Sequence, residues 1–118
     1  MSKQAETAYK VLTSGQMAVL LADGSFAGAP VDLTDGYIHL STAAQLAETV
    51  AKHFAGQTGL HIAVVDLGQL GDTVRWEASR GGQLFPHIYG ALPISAVTAH
   101  CLLEFSDVGS VVLPVPLP

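Results

Sequence analysis

The chain of 118 residues has one cysteine, few charged residues and no apolar run long enough to cross a membrane. A single cysteine, Cys101, cannot form an intramolecular disulfide. The first ten residues, MSKQAETAYK, lack the apolar segment of a secretory signal. A membrane-spanning helix would need roughly 18 consecutive apolar residues. We therefore expect a cytoplasmic protein with no membrane partner.

Basic residues are also scarce, and the formal net charge is −5. An extended nucleic-acid surface needs many cations, because phosphate binding gains affinity from the release of counterions. The sequence therefore argues against such a surface. The basic residues are Lys3, Lys10, Lys52, Arg75 and Arg80. The two arginines lie close together beside Trp76. This clustering leaves two alternatives open, a local anion site or a merely solvated surface.

The length and the 49% of hydrophobic residues suit one domain, residues 1–118, with one sizeable core. Many short period-two segments and two helices predict an α+β fold with a split or curved, mainly antiparallel sheet. The helices are expected from about Ser14 to Ala22 and from Thr42 to about Phe54, with a loop between Gly28 and Gly36. Strands are expected at 8–12, 37–41, 60–66, 74–77, 85–89 and 99–105, with a helical turn at 93–96 and a flexible loop at 79–83. The proline-rich tail, residues 110–118, is expected to be an edge strand, a polyproline arm or a partner-binding segment.

Three short segments alternate apolar and polar side chains, and their polar members are suited to chemistry. In DGYIHLST, Ile38 and Leu40 face one way, and Tyr37, His39 and Ser41 face the other. The other two segments repeat the pattern: VRWE sets Arg75 and Glu77 against Val74 and Trp76, and FPHIYG sets His87 and Tyr89 against Pro86 and Ile88. If the segments are neighbours in one sheet, their polar faces form one patch. A solvated sheet face is the alternative, but imidazole, phenol, guanidinium and carboxylate groups are typical of binding and catalytic clefts.

A metal site is not predicted. The five histidines form no HxxxH or HxH pair, and there is no cysteine cluster. Cys101 lies in the apolar stretch TAHCLLEF and is expected in the core.

DGYIHLSTAAQ, KHFAGQ, the VDL strand, VRWE and FPHIYGALPISAV together resemble a bacterial family of uncharacterised proteins, domain-of-unknown-function family 952. The resemblance covers a core of residues 9–105. That family is similar to the ADP-ribosyltransferase fold, in particular to the NAD-using RNA 2′-phosphotransferases, whose His-x-Ser pattern corresponds here to His39-Leu40-Ser41. The resemblance implies an ADP-ribosyltransferase-like fold with a nucleotide cleft. Relatives commonly have histidine after the first-strand tyrosine, where this chain has Lys10.

The resulting hypothesis is a transferase that binds NAD, ADP-ribose or a nucleotide phosphate and moves an ADP-ribosyl or phosphoryl group, with NAD as the cofactor to test. Its catalytic residues would be His39, which orients a ribose or phosphate oxygen, Glu77, which binds a ribose hydroxyl or stabilises an oxocarbenium ion, and His87, an acid or base. The expected ligand-binding residues are Lys10, Tyr37, Ser41, Arg75, Trp76, Arg80 and Tyr89. Two alternatives remain open: a non-catalytic nucleotide or small-molecule binding module, and a structural protein that binds a partner.

Overall fold

The computed structural model describes residues 6–105 and residue 111, which form antiparallel sheets and short helices. The strands are β1 (Thr7–Leu12), β2 (Ser25–Phe26), β3 (Ile38–His39), β4 (His61–Asp66), β5 (Val74–Ala78), β6 (Leu84–Ile88), β7 (Leu92–Pro93) and β8 (Val97–Leu102). The α-helices are α1 (Ser14–Asp23), α2 (Pro30–Asp35) and α3 (Leu46–His53). Turns of 3-10 helix cover Ala43–Gln45, Leu67–Gln69, Gly71–Thr73, Arg80–Gly82 and Ile94–Ala96.

Two three-stranded antiparallel sheets make up most of the fold. One has the strand order β1-β4-β8 and the other has the order β3-β6-β5, while β2 and β7 form a separate pair. The two larger sheets meet where Tyr9 and Ser41 exchange backbone hydrogen bonds of 2.8 and 2.9 Å. The Cα radius of gyration is 13.5 Å, which is typical of one compact domain of this length. The predicted α+β class with antiparallel sheets is therefore confirmed.

The core lies between these sheets and the helices that cover them. Its main cluster includes the alternating residues of the polar-faced segments, with Ile38 and Ile88 almost fully buried and Trp76 packed against them. A smaller cluster joins α3 to the first sheet through Leu46, Val50 and Ile62. Each of the three polar-faced segments thus has an opposite face that packs in or against the core.

The first helix agrees with the sequence. Thr13 is the N-cap, its hydroxyl oxygen accepts a hydrogen bond from the Gln16 backbone N–H (3.1 Å), and Gly24 ends the helix at a φ of 76°. The helix expected after Thr42 begins as a 3-10 turn and becomes α3 at Leu46. On α3, Glu48 and Lys52 lie four positions apart and form an ion pair at 3.4 Å.

The expectation of a loop between Gly28 and Gly36 was wrong, because α2 lies within it. Pro30 occupies the first helical position, where its missing N–H removes nothing that the helix uses. The carboxylate of Asp32 accepts a hydrogen bond from the Ala29 backbone N–H (2.8 Å), and Gly36 ends the helix at a φ of 90°. These local signals outweigh the turn-forming composition of the segment.

Some predicted strands differ in length from those observed. The strand expected at 37–41 is reduced to β3, although Ser41 still bridges to Tyr9. The strand expected at 99–105 begins two residues earlier and ends at Leu102. The loop expected at 79–83 contains a 3-10 turn in which Gly81 has a φ of 67°. Apart from Val111, which bridges to Phe105, the proline-rich tail lies outside the described residues.

Within the described residues, no helix is both long enough and apolar enough to cross a membrane.

Replacing Ile88 should test whether the buried side chain of Ile88 anchors β6 in the core. Ile88 is fully buried, whereas Leu84 on the same strand is 46% exposed. We expect Ile88→Ala to lower the free energy of unfolding by about 2–5 kcal/mol, as measured by urea titration. The control Leu84→Ala should lower it by less than about 1 kcal/mol. Equal effects of the two changes would contradict this account of the core.

Candidate functional site

The polar faces of the three alternating segments meet in the sheet β3-β6-β5. His39 on β3 is paired directly with His87 on β6, and His87 is paired with Arg75 on β5. The polar side chains that alternate along each segment therefore lie next to one another on adjacent strands. The two imidazole rings are 5.3 Å apart between centroids, in an edge-to-face arrangement. Tyr37 lies against His87 with its ring stacked at 4.1 Å.

A buried carboxylate, Asp32, holds His39 in place. Asp32 is 1% exposed, and its carboxylate accepts hydrogen bonds from four donor groups. The donors are Lys10 Nζ (3.0 Å), Ala29 N (2.8 Å), His39 N (3.1 Å) and His39 Nδ1 (2.6 Å). Lys10 Nζ also donates to the carbonyl oxygen of His39 (2.9 Å). Asp32 therefore joins β1, the start of α2 and β3 at one point.

The pKa of Asp32 follows from these contacts. Burial alone would raise the pKa of the carboxyl group, but the hydrogen bond from His39, the charge of Lys10 and the backbone donors together lower it to about 2. Burial lowers the pKa of the Lys10 ammonium, and the Asp32 carboxylate opposes that change. Since the ionised Asp32 can only accept hydrogen bonds, His39 Nδ1 carries the hydrogen of the bond between them.

A second carboxylate, Glu77, holds His87. Glu77 Oε1 lies 2.8 Å from His87 Nδ1 and accepts a hydrogen bond of 2.7 Å from the Tyr89 hydroxyl. The hydrogen bonds from His87 and Tyr89 lower the pKa of Glu77, and the same bond to Glu77 raises the pKa of Tyr89. Arg75 lies over the Tyr89 ring, with its guanidinium carbon 4.9 Å from the ring centroid. His87 itself is 2% exposed.

A cleft of about 750 Å³ opens beside the two histidines. Its walls come from β1, α2, β3, α3 and β6. Of the residues predicted for the site, the cleft is lined by Lys10, His39, Ser41 and His87. The Ser41 hydroxyl lies 2.9 Å from that of Thr49 on α3, so a hydrogen bond joins the segment after β3 to this helix.

The other predicted residues have different positions. Tyr37 and Glu77 contact His87, and Tyr89 contacts both of these residues. Arg75 lies over the Tyr89 ring, and none of these four residues lines the cleft. Trp76 packs against the core on the opposite face of β5, so the structure gives no support to its expected contact with a ligand. Arg80 begins a 3-10 turn, and its side chain lies outside the described residues.

Sequence reasoning missed several residues of the cleft. Asp32 and Asp35 come from the unpredicted helix α2, and Lys52, His53 and Phe54 come from the end of α3. Asp32 could have been found from the pattern of a proline at the first helical position, an acidic residue two positions later and a following glycine. In the described residues, no group of three or more His, Cys, Asp or Glu side chains could hold a metal ion.

The fold and the cleft define a small α+β protein in which two carboxylate-bound histidines line a cavity of ligand size. A family model described as "Protein of unknown function (DUF952)" matches residues 11–100, and the chain belongs to that family. No curated protein matches the chain.

Solved structures of protein CC0527 from Caulobacter crescentus are similar to this chain. Its crystal structure is 43% identical, with a TM-score of 0.81, and the match covers 89% of this chain and 92% of that one. Its solution NMR structure is 42% identical, with a TM-score of 0.76, and the match covers 90% and 91% of the two chains.

The acid dependence of stability should reveal the Asp32 carboxylate. Its pKa is about 2 in the folded protein, against an ordinary value of 3.8, so the unfolded chain takes up this proton first as the pH falls. Asp32 therefore contributes about 2 kcal/mol of stability above pH 4, which is lost as the pH falls through 2. We expect Asp32→Asn to abolish this part of the pH dependence, as measured by urea unfolding between pH 6 and pH 2.

Asp23→Asn is the matched control, because Asp23 is an exposed carboxylate at the end of α1. It should keep the acid dependence of the unchanged protein. An Asp32→Asn protein whose stability falls with acid as steeply as that of the control would contradict the low pKa of Asp32.

The hydrogen bond between Glu77 and His87 should be visible in the titration of Glu77. Because His87 is the main cause of the lowered pKa of Glu77, His87→Gln should raise that pKa toward its ordinary value. Tyr89→Phe should raise it by less, since the hydroxyl is the second cause. Carboxyl NMR titration measures both, with His100→Gln on β8 as control. A Glu77 pKa that is the same in all four proteins would exclude the bond.

Proposed function

We propose that the protein binds a nucleotide phosphate, ADP-ribose or NAD in the cleft beside His39 and His87 and transfers an ADP-ribosyl or phosphoryl group from it. The observation that carries this proposal is the cross-strand pair of histidines, each with its Nδ1 atom on a carboxylate and each lining the cleft. Fixing Nδ1 in this way orients each ring, so that Nε2 is the atom through which the ring can contact a ligand.

The dimensions and chemistry of the cleft suit such a ligand. Its volume of about 750 Å³ lies in the range of cavities that enclose small molecules and cofactors. Tyr9, Phe54 and Phe85 contribute aromatic surface to its lining, against which a base or a nicotinamide ring could stack. Lys52 and His53, at the end of α3, supply groups that can bind a phosphate.

The two histidines are suited to different tasks. His87 has one ring nitrogen on Glu77 (2.8 Å), and no described residue forms a hydrogen bond with its Nε2. His87 lines the cleft, so Nε2 is the ring nitrogen through which it can contact a ligand. That atom can exchange a proton with a ligand, which makes His87 the general acid or base. Glu77 is then a positioning residue, because it acts through His87.

His39 is suited to orient a ligand oxygen rather than to move a proton. Carboxylates lie next to both of its ring nitrogens, Asp32 at 2.6 Å and Asp35 at 3.0 Å. Because Asp32 holds Nδ1, Nε2 is the ring atom of His39 that can contact a ribose or phosphate oxygen, in the place that Asp35 now takes. Lys10 supports His39 through Asp32, because its ammonium already donates to the Asp32 carboxylate and to the carbonyl oxygen of His39.

The likeness of His39-Leu40-Ser41 to the His-x-Ser pattern of RNA 2′-phosphotransferases supports the transferase part of the proposal. All three residues of the pattern line the cleft, and Leu40, at 2% exposed, also belongs to the core.

A non-catalytic binding module is the second candidate. It is favoured by the position of Glu77 and Arg75, which lie off the cleft. Glu77 therefore has no direct route to a ribose hydroxyl, and Arg75 supplies no phosphate clamp. In this reading the same ligand binds, but no group is transferred.

Calorimetry with NAD, ADP-ribose and nucleoside phosphates tests the binding step. We expect at least one of these ligands to bind, and we expect His39→Gln to weaken binding by about tenfold or more, because a charge-assisted hydrogen bond is worth about 1.5–3 kcal/mol. Lys52→Gln, an exposed change at the rim of the cleft, should weaken it by a smaller factor. His100→Gln, on exposed β8 outside the cleft, should leave the affinity unchanged.

Mass spectrometry of the products separates the two candidates. Release of nicotinamide or appearance of a transferred group, reduced about 10²–10⁴-fold in His87→Gln, would support the transferase. Tight binding without products would favour the binding module. Absence of binding to all of these ligands at millimolar concentration would rule out both.

A further inference from the structure

Asp35 lies beside the outer nitrogen of His39, and its setting is unlike that of Asp32. It is the last residue of α2, and its Oδ2 atom is 3.0 Å from His39 Nε2. Its side chain is 40% exposed and lines the cleft, whereas Asp32 is 1% exposed and fully hydrogen-bonded. One carboxylate is therefore built into the fold, while the other reaches His39 from the surface.

The charges around His39 balance only when Asp35 is present. Carboxylate oxygens lie within 3.0 Å of both ring nitrogens, and such a contact is favourable only when the nitrogen carries a hydrogen, so this geometry fits a ring with hydrogens on both nitrogens. The ring and Lys10 then face the two carboxylates of Asp32 and Asp35. Asp32 cannot leave, because Lys10, two backbone N–H groups and His39 Nδ1 all bind it inside the core. If the Asp35 side chain turns toward solvent, one uncompensated positive charge remains at the wall of the cleft.

We infer that the position beside His39 Nε2 is an oxyanion subsite, which Asp35 fills in the free protein as a built-in competitor. A ligand with a phosphate or other oxyanion binds there by displacing the Asp35 carboxylate, which then moves into solvent. An ion pair between partly exposed side chains of this kind is weak, because solvent screens it, so a bound anion can replace it. The inference deepens the proposed function, on which it rests for the identity of the natural ligand.

This arrangement selects ligands by charge. A nucleoside without a phosphate brings no group that can replace the Asp35 carboxylate at His39. A ligand with an oxyanion restores the charge balance when Asp35 leaves. Asp35 therefore discriminates against neutral ligands of similar size.

Titration with inorganic pyrophosphate tests the subsite without any assumption about the nucleotide. The measurement is the NMR signal of the His39 ring nitrogens as the anion is added. We expect Asp35→Asn to bind pyrophosphate about three- to tenfold more tightly than the unchanged protein, because the competing carboxylate and its repulsion are removed. Asp35→Ser, which removes the carboxylate and also shortens the side chain, should show the same gain in affinity.

Asp23→Asn is a close control, because Asp23 ends α1 just before a left-handed glycine as Asp35 ends α2. It makes the same change in net charge outside the cleft, so it should bind pyrophosphate like the unchanged protein. Adding His39→Gln to Asp35→Asn should remove the gain in affinity.

Three results would overturn the inference: no pyrophosphate binding to Asp35→Asn, an affinity no higher than that of Asp23→Asn, or a gain that survives His39→Gln. Failure of the proposed function would look different. Asp35→Asn would then still gain pyrophosphate affinity at His39, while NAD, ADP-ribose and nucleoside phosphates would not bind.

Discussion

The buried carboxylate of Asp32 is the interaction on which the rest of the site depends. An ionised group at 1% exposure is costly to bury unless charge and hydrogen bonds compensate it. Here compensation comes from Lys10 on β1, the backbone of Ala29 before α2, and both the backbone and the ring of His39 on β3. All of these donors must stay within hydrogen-bond distance of the same carboxylate, so Asp32 fixes how β1, α2 and β3 meet. That junction is one wall of the cleft.

The two histidines show how one sheet can give similar side chains different properties. Both are on the same face at paired positions, and a carboxylate contacts Nδ1 of each. The difference comes from the carboxylates: Asp32 is enclosed by the fold, whereas the Glu77 side chain is 37% exposed and shared with Tyr89. Solvent screens the interaction at Glu77 more than that at Asp32. His39 is therefore held by a buried carboxylate with a pKa of about 2, and His87 by a carboxylate that also contacts solvent.

What the sequence could predict was local. Period-two alternation correctly placed Ile38, Leu40 and Ile88 in the core, because side-chain direction in a strand depends only on the backbone of that strand. The pairing order β3-β6-β5 and the Asp32 contacts are not local, since Lys10 is 22 positions from Asp32 along the chain. No periodicity encodes such a contact. The helix α2 is the exception, because its proline and glycine were visible signals that a turn-like composition concealed.

Lys10 shows why a departure from a family pattern needs a structure to interpret it. At the position where the resemblance leads one to expect histidine, its ammonium donates to Asp32 (3.0 Å) and to the His39 carbonyl oxygen (2.9 Å). A neutral imidazole offers only one ring donor, whereas an ammonium offers three and brings a positive charge. Lysine can therefore satisfy both acceptors at once and keep Asp32 ionised. Its effect on the cleft is indirect: it holds Asp32, and Asp32 in turn holds the His39 ring that lines the cleft.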